Sequence, residues 1–143
     1  MYEELKNEVK ECEGYVNKIY KCSEGFDTIF YGHKVLPEDN YEHVVEYPKE
    51  LGEEVFEKDF QRTVDAAERL IGERPINHLA KEVIINMVYQ IGEGGVSKFK
   101  NMWKALDSED YVEASVQMLD SLWAKQTPAR AGKLAGKMRS AKL

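Results

Sequence analysis

The chain has 143 residues, the size of a single domain, and its 43% hydrophobic and 32% charged residues are enough for a packed core under a solvated surface. This composition excludes an intrinsically disordered chain, and the lack of any long apolar run excludes a membrane-spanning segment or a signal-peptide core. The net charge is −6, yet the segment from Ser121 to Leu143 holds six basic residues and no acidic one, which leaves 14 basic against 26 acidic residues elsewhere. An acidic body argues against nucleic-acid binding. The basic segment is either a solvated helix or a surface that attracts an anionic polymer.

The sequence has no pattern typical of a metal site or a disulfide scaffold. Its two cysteines, Cys12 and Cys22, are too few for a disulfide framework, and its three histidines lack the spacing of zinc ligands. We therefore expect no structural metal.

A short amphipathic helix is predicted near the N-terminus. Leu5, Val9 and Cys12 follow one another at spacings of four and three, which places them on one face of a helix over residues 2–12. We expect Cys12 to face the core. The alternative is a redox role in which Cys12 pairs with Cys22.

A β-hairpin is predicted to follow this helix. Residues 15–20 and 26–31 are rich in β-branched and aromatic side chains, and the turn-forming residues 23–25 separate them. Residues 34–50 have no sustained period, so they predict a loop with room for one more short strand.

The rest of the chain is predicted to be helical. Pro48 suits the first turn of the longest helix, Asp107 or Ser108 is the expected cap of a later one, and Thr127 followed by Pro128 begins the last. The apolar periods place these helices at residues 49–71, 79–91, 99–106, about 109–122 and from 128 onward.

These elements predict an α+β fold with a small β-hairpin lobe and a larger, mainly helical lobe, joined by a long helix. The expected β-containing lobe covers about residues 13–50, the connecting helix about 49–71, and the helical lobe residues 1–12 and 72–143. The helix over residues 79–91 is the most apolar and is expected to form the buried centre, ending at a cluster of glycines. A cleft would lie where the lobes join.

Candidate chemistry begins at the end of the first helix. Eight residues separate Glu13 from Cys22, and five more separate Cys22 from Thr28. This spacing resembles the catalytic triad of the phage-type lysozymes, glycoside hydrolase family 24, in which Asp or Cys holds the middle place. Further segments resemble the same family in the same order: Glu13-Gly14, Ile19-Tyr20-Lys21, Glu24-Gly25-Phe26, Gly32-His33, residues 85–93, and Trp123 with residues 126–130.

The resemblance implies a lysozyme-like fold and a role for each residue of the triad. Glu13 would be the general acid that protonates the glycosidic oxygen, and Arg130 occupies the place of a family arginine that pairs with this acid. Two roles stay open for Cys22. It would either help Thr28 to place a water molecule for inversion, which we favour, or use its thiolate to stabilise or attack the sugar carbon.

Other positions carry supporting roles by the same resemblance. His33 would pair with an acidic residue of the long helix, for which Asp59 is the candidate, and so hold the hairpin in place. The expected substrate-binding residues are Tyr89, Gln90 and Gln117. Phe30 departs from the family pattern, which has a small residue here, commonly Gly. Its ring would either crowd the cleft or pack inward.

The resemblance predicts a muramidase of the endolysin type that hydrolyses the β-1,4 bond between N-acetylmuramic acid and N-acetylglucosamine in peptidoglycan. The alternatives are a lytic transglycosylase and a peptidoglycan-binding module whose catalysis has lapsed. We expect a monomer that needs no cofactor and whose partner is the glycan strand, with neither nucleic acid nor membrane insertion involved. It would accumulate in the host cytoplasm and reach the wall once the membrane is permeabilised, with wall affinity that falls as salt rises.

Overall fold

The computed structural model describes residues 1–142, which form two compact units: one covers Met1–Arg62, and the second begins at Thr63. Helices dominate the chain, and one small antiparallel sheet lies in the first unit. The predicted α+β class is therefore confirmed. No helix within residues 1–142 is long and apolar enough to cross a membrane.

The first unit contains a helix, a three-stranded sheet and the start of a long helix. The strands lie in the order β1-β2-β3, and Tyr20 of β1 stands opposite Thr28 of β2. The third strand is the short extra strand that the loop was predicted to allow, although it begins one residue earlier, at His33. The elements are α1 (Glu3–Glu13), β1 (Val16–Lys21), β2 (Asp27–Phe30), β3 (His33–Lys34), a 3₁₀ turn (Pro37–Asp39) and α2 (Lys49–Ile71).

The buried face of α1 differs from the prediction at one residue. Leu5 and Val9 are buried, but Cys12 is exposed, so the expectation that its thiol faces the core is wrong. Steps of three and of four residues both stay near one face of a helix. Three residues after Val9 comes the exposed Cys12 and four residues after it comes the half-buried Glu13, so the packing around α1 covers only one edge of this face.

The ring of Phe30 packs inward. Its side chain is fully buried, and the rings of Tyr15, Tyr41 and Tyr47 lie with their centroids 5.6 to 6.3 Å from that of Phe30. Gly52 of α2 lets this cluster approach the helix, because a Cβ atom there would lie 2.8 Å from the ring of Tyr15. The backbone of Phe30 is left-handed, with φ 59°, a conformation that favours glycine. Burial of the ring therefore holds a strained backbone in place.

The second unit is helical. Its helix α3 is the predicted buried centre, since the residues from Val83 to Met87 are all fully buried. Gly92 interrupts this helix with φ 80°, and helical structure then resumes, so the predicted stop is a break within a longer element. The helices are α3 (His78–Ser97), α4 (Lys100–Asp107), α5 (Tyr111–Leu119), α6 (Leu122–Gln126) and α7 (Pro128–Ser140).

Two predictions about the helix ends are corrected. The cap of α5 is Asp110, whose carboxylate accepts a hydrogen bond from the backbone N–H of Glu113 at 3.0 Å, and neither Asp107 nor Ser108. The same helix ends at Leu119, and Leu122 begins α6 because Ser121 caps a new helix through the N–H of Ala124. The last helix begins at Pro128 as predicted, although the hydroxyl of Thr127 donates backwards to the carbonyl of Trp123.

Candidate active site

Glu13 is held against the turn between β2 and β3. It is the last residue of α1, and Gly14 turns the chain there with φ 73° while its N–H donates to the carbonyl of Lys10 at 2.9 Å. A Cβ atom at Gly32 would lie 3.1 Å from the carboxyl carbon of Glu13 and closer still to its Oε1. The carboxyl group therefore rests on bare backbone, in a space that only glycine leaves open.

Cys22 lies in the tight turn after β1. Its N–H donates to the carbonyl of Phe26, and its carbonyl accepts from the N–H of Gly25, each at 2.9 Å. Hydrogen bonds from the backbone of Phe26 and of Glu24, and then from the hydroxyl of Thr28, lower the pKa of the Cys22 thiol. More of the thiolate is therefore present near neutral pH than for an ordinary cysteine.

Thr28 is buried on β2 beside this turn. Its side chain is 3% exposed, and its hydroxyl donates to the carbonyl of Phe26 at 3.0 Å. The same hydroxyl also acts on Cys22, so the two groups are close neighbours. A hydroxyl can donate one hydrogen bond and accept two, which suits it to hold a water molecule beside a thiol or thiolate.

Tyr20 connects the two parts of this site and was not among the predicted site residues. Burial and then the negative charges of Glu13 and Cys22 raise the pKa of its phenol. The charges of Glu13 and Cys22 thus both act on the Tyr20 phenol, and Tyr20 itself stands opposite Thr28 in the sheet. The only sequence signal for Tyr20 was its place in the Ile19-Tyr20-Lys21 segment.

His33 lies between two carboxylates. Its Nδ1 is 2.7 Å from Asp59 of α2, the partner chosen from the sequence, and its Nε2 is 2.8 Å from Asp39. Burial opposes the charge of this imidazole, but the hydrogen bonds to Asp59 and Asp39 outweigh it and raise the pKa of His33. Arg62 also contacts Asp59, so the pair belongs to a small charged network that ties β3 to α2.

Asp39 was missed in the sequence. It lies in a loop without periodicity, and its carboxylate also accepts the N–H of Leu36, which fixes the 3₁₀ turn. No residue pattern predicts the contact between Asp39 and His33, because it depends on how the loop folds back onto β3.

The other predicted site residues lie in the second unit. Arg130 of α7 donates from Nε and Nη2 to the side-chain oxygen of Asn86, at 3.1 and 2.7 Å. Gln90 accepts from the indole N–H of Trp123 at 2.7 Å. The Gln117 amide donates to Glu113 at 2.6 Å. The half-buried Tyr89 stands next to Gln90 on α3. The pairing of Arg130 with Glu13, and substrate contacts by Tyr89, Gln90 and Gln117, remain predictions.

Metal ligands are not grouped in the part of the chain that the structure describes. No set of three or more His, Cys, Asp or Glu side chains within residues 1–142 could hold a metal ion. Glu13, Cys22, Thr28 and Tyr20 together offer a carboxyl, a thiol and two hydroxyl groups.

The comparison with known families decides the assignment. The phage lysozyme family model matches residues 10–140, nearly the whole chain. The chain belongs to the phage lysozyme family. It is accordingly a glycoside hydrolase with a lysozyme-like fold.

Relatives of this phage lysozyme family member include both free-standing and much larger proteins. A T4-type lysozyme of Dictyostelium discoideum is 30% identical, and the alignment covers 94% of this chain and 92% of the relative. The pre-baseplate central spike protein Gp5 of Enterobacteria phage T4 is 29% identical over 85% of this chain, which is 25% of that protein. The peptidoglycan hydrolase gp36 of Pseudomonas phage phiKMV is 27% identical over 88% of this chain and 14% of its own length.

Proposed function

We propose that the chain is a muramidase that hydrolyses the β-1,4 bond between N-acetylmuramic acid and N-acetylglucosamine in peptidoglycan. The observation that carries this proposal is the arrangement of the first unit, where the Glu13 carboxyl rests on Gly32 near the paired Cys22 and Thr28. The substrate class is supported by the phiKMV relative, which is named as a peptidoglycan hydrolase.

Glu13 acts as the general acid. It gives its proton to the glycosidic oxygen as the bond breaks and the sugar carbon develops oxocarbenium character. Its position supports this role, since the turn at Gly14 and the bare backbone of Gly32 fix where the carboxyl group stands. A fixed donor lowers the entropy that must be lost on reaching the transition state.

Cys22 and Thr28 place the attacking water. The Thr28 hydroxyl helps to lower the pKa of the Cys22 thiol, and the thiolate so favoured can accept a hydrogen bond from a water molecule. A water molecule held by these two groups would attack the sugar carbon from the side opposite the leaving group and invert the anomeric centre.

The substitution Glu13→Gln tests the proposal, because it keeps the shape of the side chain while removing its proton. We expect the release of soluble reducing ends from purified peptidoglycan to fall by about a hundredfold or more. Glu11→Gln is the matched control, since Glu11 is an exposed glutamate in the last turn of the same helix and should be dispensable.

The products separate the proposed reaction from its alternatives. Reducing ends indicate hydrolysis, whereas 1,6-anhydro ends would identify a transglycosylase, and wall binding without any soluble product would identify a binding module. NMR of the first anomer released tests the role of Cys22. The α anomer fits water placement with inversion, and the β anomer would instead implicate direct attack by the thiolate.

The cellular role follows from the same chemistry. We propose that the enzyme acts as a monomer and lyses bacterial cells when it reaches the wall through a permeabilised membrane. Turbidity of cells that produce the enzyme in their cytoplasm should then stay constant, and it should fall when an agent that permeabilises the membrane is added. Sedimentation equilibrium at micromolar concentration checks the monomer.

A further inference from the structure

Tyr20 occupies the same face of the sheet as the proposed water site. It stands directly opposite Thr28 in the β1-β2 pair, and side chains of directly opposed residues project from the same face. Thr28 is 3% exposed, whereas the Tyr20 side chain is 36% exposed. The Tyr20 side chain is therefore open to solvent on the face of the sheet from which Thr28 also projects.

The phenol group of Tyr20 is placed near charge but has no hydrogen-bond partner. Within residues 1–142 no protein group donates to its oxygen or accepts its proton, although the charges of Glu13 and Cys22 act on it. Those charges and partial burial raise the pKa of the phenol, so it stays protonated wherever hydrolysis could run near neutral pH. The phenol is therefore a hydrogen-bond donor whose proton no protein group within residues 1–142 accepts.

We propose that the Tyr20 hydroxyl donates a hydrogen bond to an oxygen atom of the sugar bound beside Glu13, and so serves as a substrate-binding residue of this site. This inference rests on the proposed function, because it assumes that a glycan occupies the neighbourhood of Glu13. Sugars present hydroxyl and acetamido oxygens that accept from a neutral phenol, and an aromatic face suits the apolar side of a sugar ring.

The substitution Tyr20→Phe tests the role of the hydroxyl, since it removes one oxygen atom and keeps the ring. We expect kcat/KM on purified peptidoglycan to fall about tenfold, as the loss of one hydrogen bond to substrate would cause. The melting temperature should stay at the wild-type value, because no protein partner loses a bond.

Tyr41→Phe is the matched control. Tyr41 lies in the same unit and packs edge-on against Phe30 at 5.6 Å, within the aromatic cluster below the sheet. Its hydroxyl also has no partner in the part of the chain that the structure describes, so this variant should keep both its activity and its melting temperature.

Glu13→Gln, measured in parallel, separates the two proposals. If Glu13→Gln is inactive but Tyr20→Phe matches the wild type, the role of Tyr20 is wrong and the proposed function stands. If Glu13→Gln stays active, the role of Glu13 as general acid is wrong, and a tenfold loss in Tyr20→Phe would still support contact with substrate. If the wild type itself releases no reducing ends from peptidoglycan, the proposed function is wrong. A loss of activity in Tyr20→Phe that merely follows a lower melting temperature would overturn the role assigned to its hydroxyl.

Discussion

The carboxyl carbon of Glu13 lies only 3.1 Å from the point where a Cβ atom would stand on Gly32. The last residue of α1 and the turn between β2 and β3 therefore meet through a carboxyl group and bare backbone. Any side chain at position 32 has to push this carboxyl group away. The position of the proposed general acid thus depends on a residue that takes no part in the chemistry.

We expect Gly32→Ala to displace the Glu13 carboxyl group and to lower the rate of peptidoglycan hydrolysis by about ten- to a hundredfold, since small misplacements of a reacting group are costly. The left-handed backbone of Gly32, with φ 69°, adds a loss of about 1–2 kcal/mol in the free energy of unfolding.

Gly25→Ala separates these two effects. Gly25 also has a left-handed backbone, with φ 85°, but a Cβ atom there would meet nothing within 4 Å. We expect a similar loss of stability and a much smaller loss of activity. Equal loss of activity in the two variants would contradict the steric argument. Urea unfolding and kinetic assays on both proteins make the comparison.

Thr28→Val should raise the pKa of the Cys22 thiol, because the variant keeps the shape of the side chain and removes a hydroxyl that stabilises the thiolate. The measurement is the rate of alkylation by iodoacetamide as a function of pH. Both proteins also carry the substitution Cys12→Ser, since the exposed Cys12 would otherwise react with iodoacetamide as well.

In the folded Cys12→Ser protein, the alkylation rate of Cys22 should have its inflection at a pH below the ordinary thiol pKa of about 8.5. In urea, the inflection of the same protein should move to that ordinary value. The backbone hydrogen bonds from Phe26 and Glu24 remain in Thr28→Val, so the shift should be partial. An unchanged inflection would mean that the hydroxyl does not reach the sulfur.

His33 should make stability depend on pH. Because its pKa is raised in the folded state, the stabilisation is fully present below the unfolded value of about 6.5 and is lost as pH rises through the folded value. We therefore expect the difference in unfolding free energy between wild type and His33→Gln to be largest near pH 5.5 and to shrink toward pH 9.

Urea unfolding of both proteins across this range gives the difference directly. Asp59→Asn is a useful companion, because it removes one of the two carboxylates that raise the pKa of His33 and should move the pH dependence to lower pH. A difference between wild type and His33→Gln that stays constant with pH would show that the imidazole does not change its charge in this range.

Phe30→Gly should destabilise the protein even though glycine suits the backbone there. Removing the buried ring costs about 3–5 kcal/mol, and relief of the left-handed strain returns only about 1–2 kcal/mol. We expect a net loss of about 1–4 kcal/mol in urea unfolding.

Val44→Gly is the matched control, in which a glycine relieves backbone strain at an exposed position. Val44 is also left-handed, with φ 62°, but its side chain is 86% exposed, so the strain is relieved without loss of packing. This variant should be as stable as the wild type or slightly more so. If Phe30→Gly behaved like Val44→Gly, the aromatic cluster would contribute little to the stability of the first unit.

Much of the local structure was predictable because neighbouring residues decide it. The long helix from Lys49 to Ile71 follows from its apolar period and the preceding proline, and the hairpin follows from two β-rich segments around a turn. The resemblance of Glu13, Cys22, Thr28 and several further segments to the phage-type lysozymes indicated the family, which the match of the family model over residues 10–140 confirms.

Other features depended on contacts between distant parts of the chain. Cys12 fits the helical period as well as a core residue would, but which edge of α1 is covered depends on what packs against it. The sequence could not predict that Asp110, and not Asp107, caps α5, because both are good capping residues. The end of α4 at Asp107 decides between them.

The sequence by itself determined the fold class and the order of the elements, because periodicity is a property of neighbouring residues, and its resemblance to the phage-type lysozymes indicated the family. Only the tertiary structure decided that the Phe30 ring packs inward, that Asp39 closes on His33 and that the Glu13 carboxyl rests on Gly32. Each of these depends on which surfaces meet when the chain folds, and burial and close contact at such surfaces override local preference.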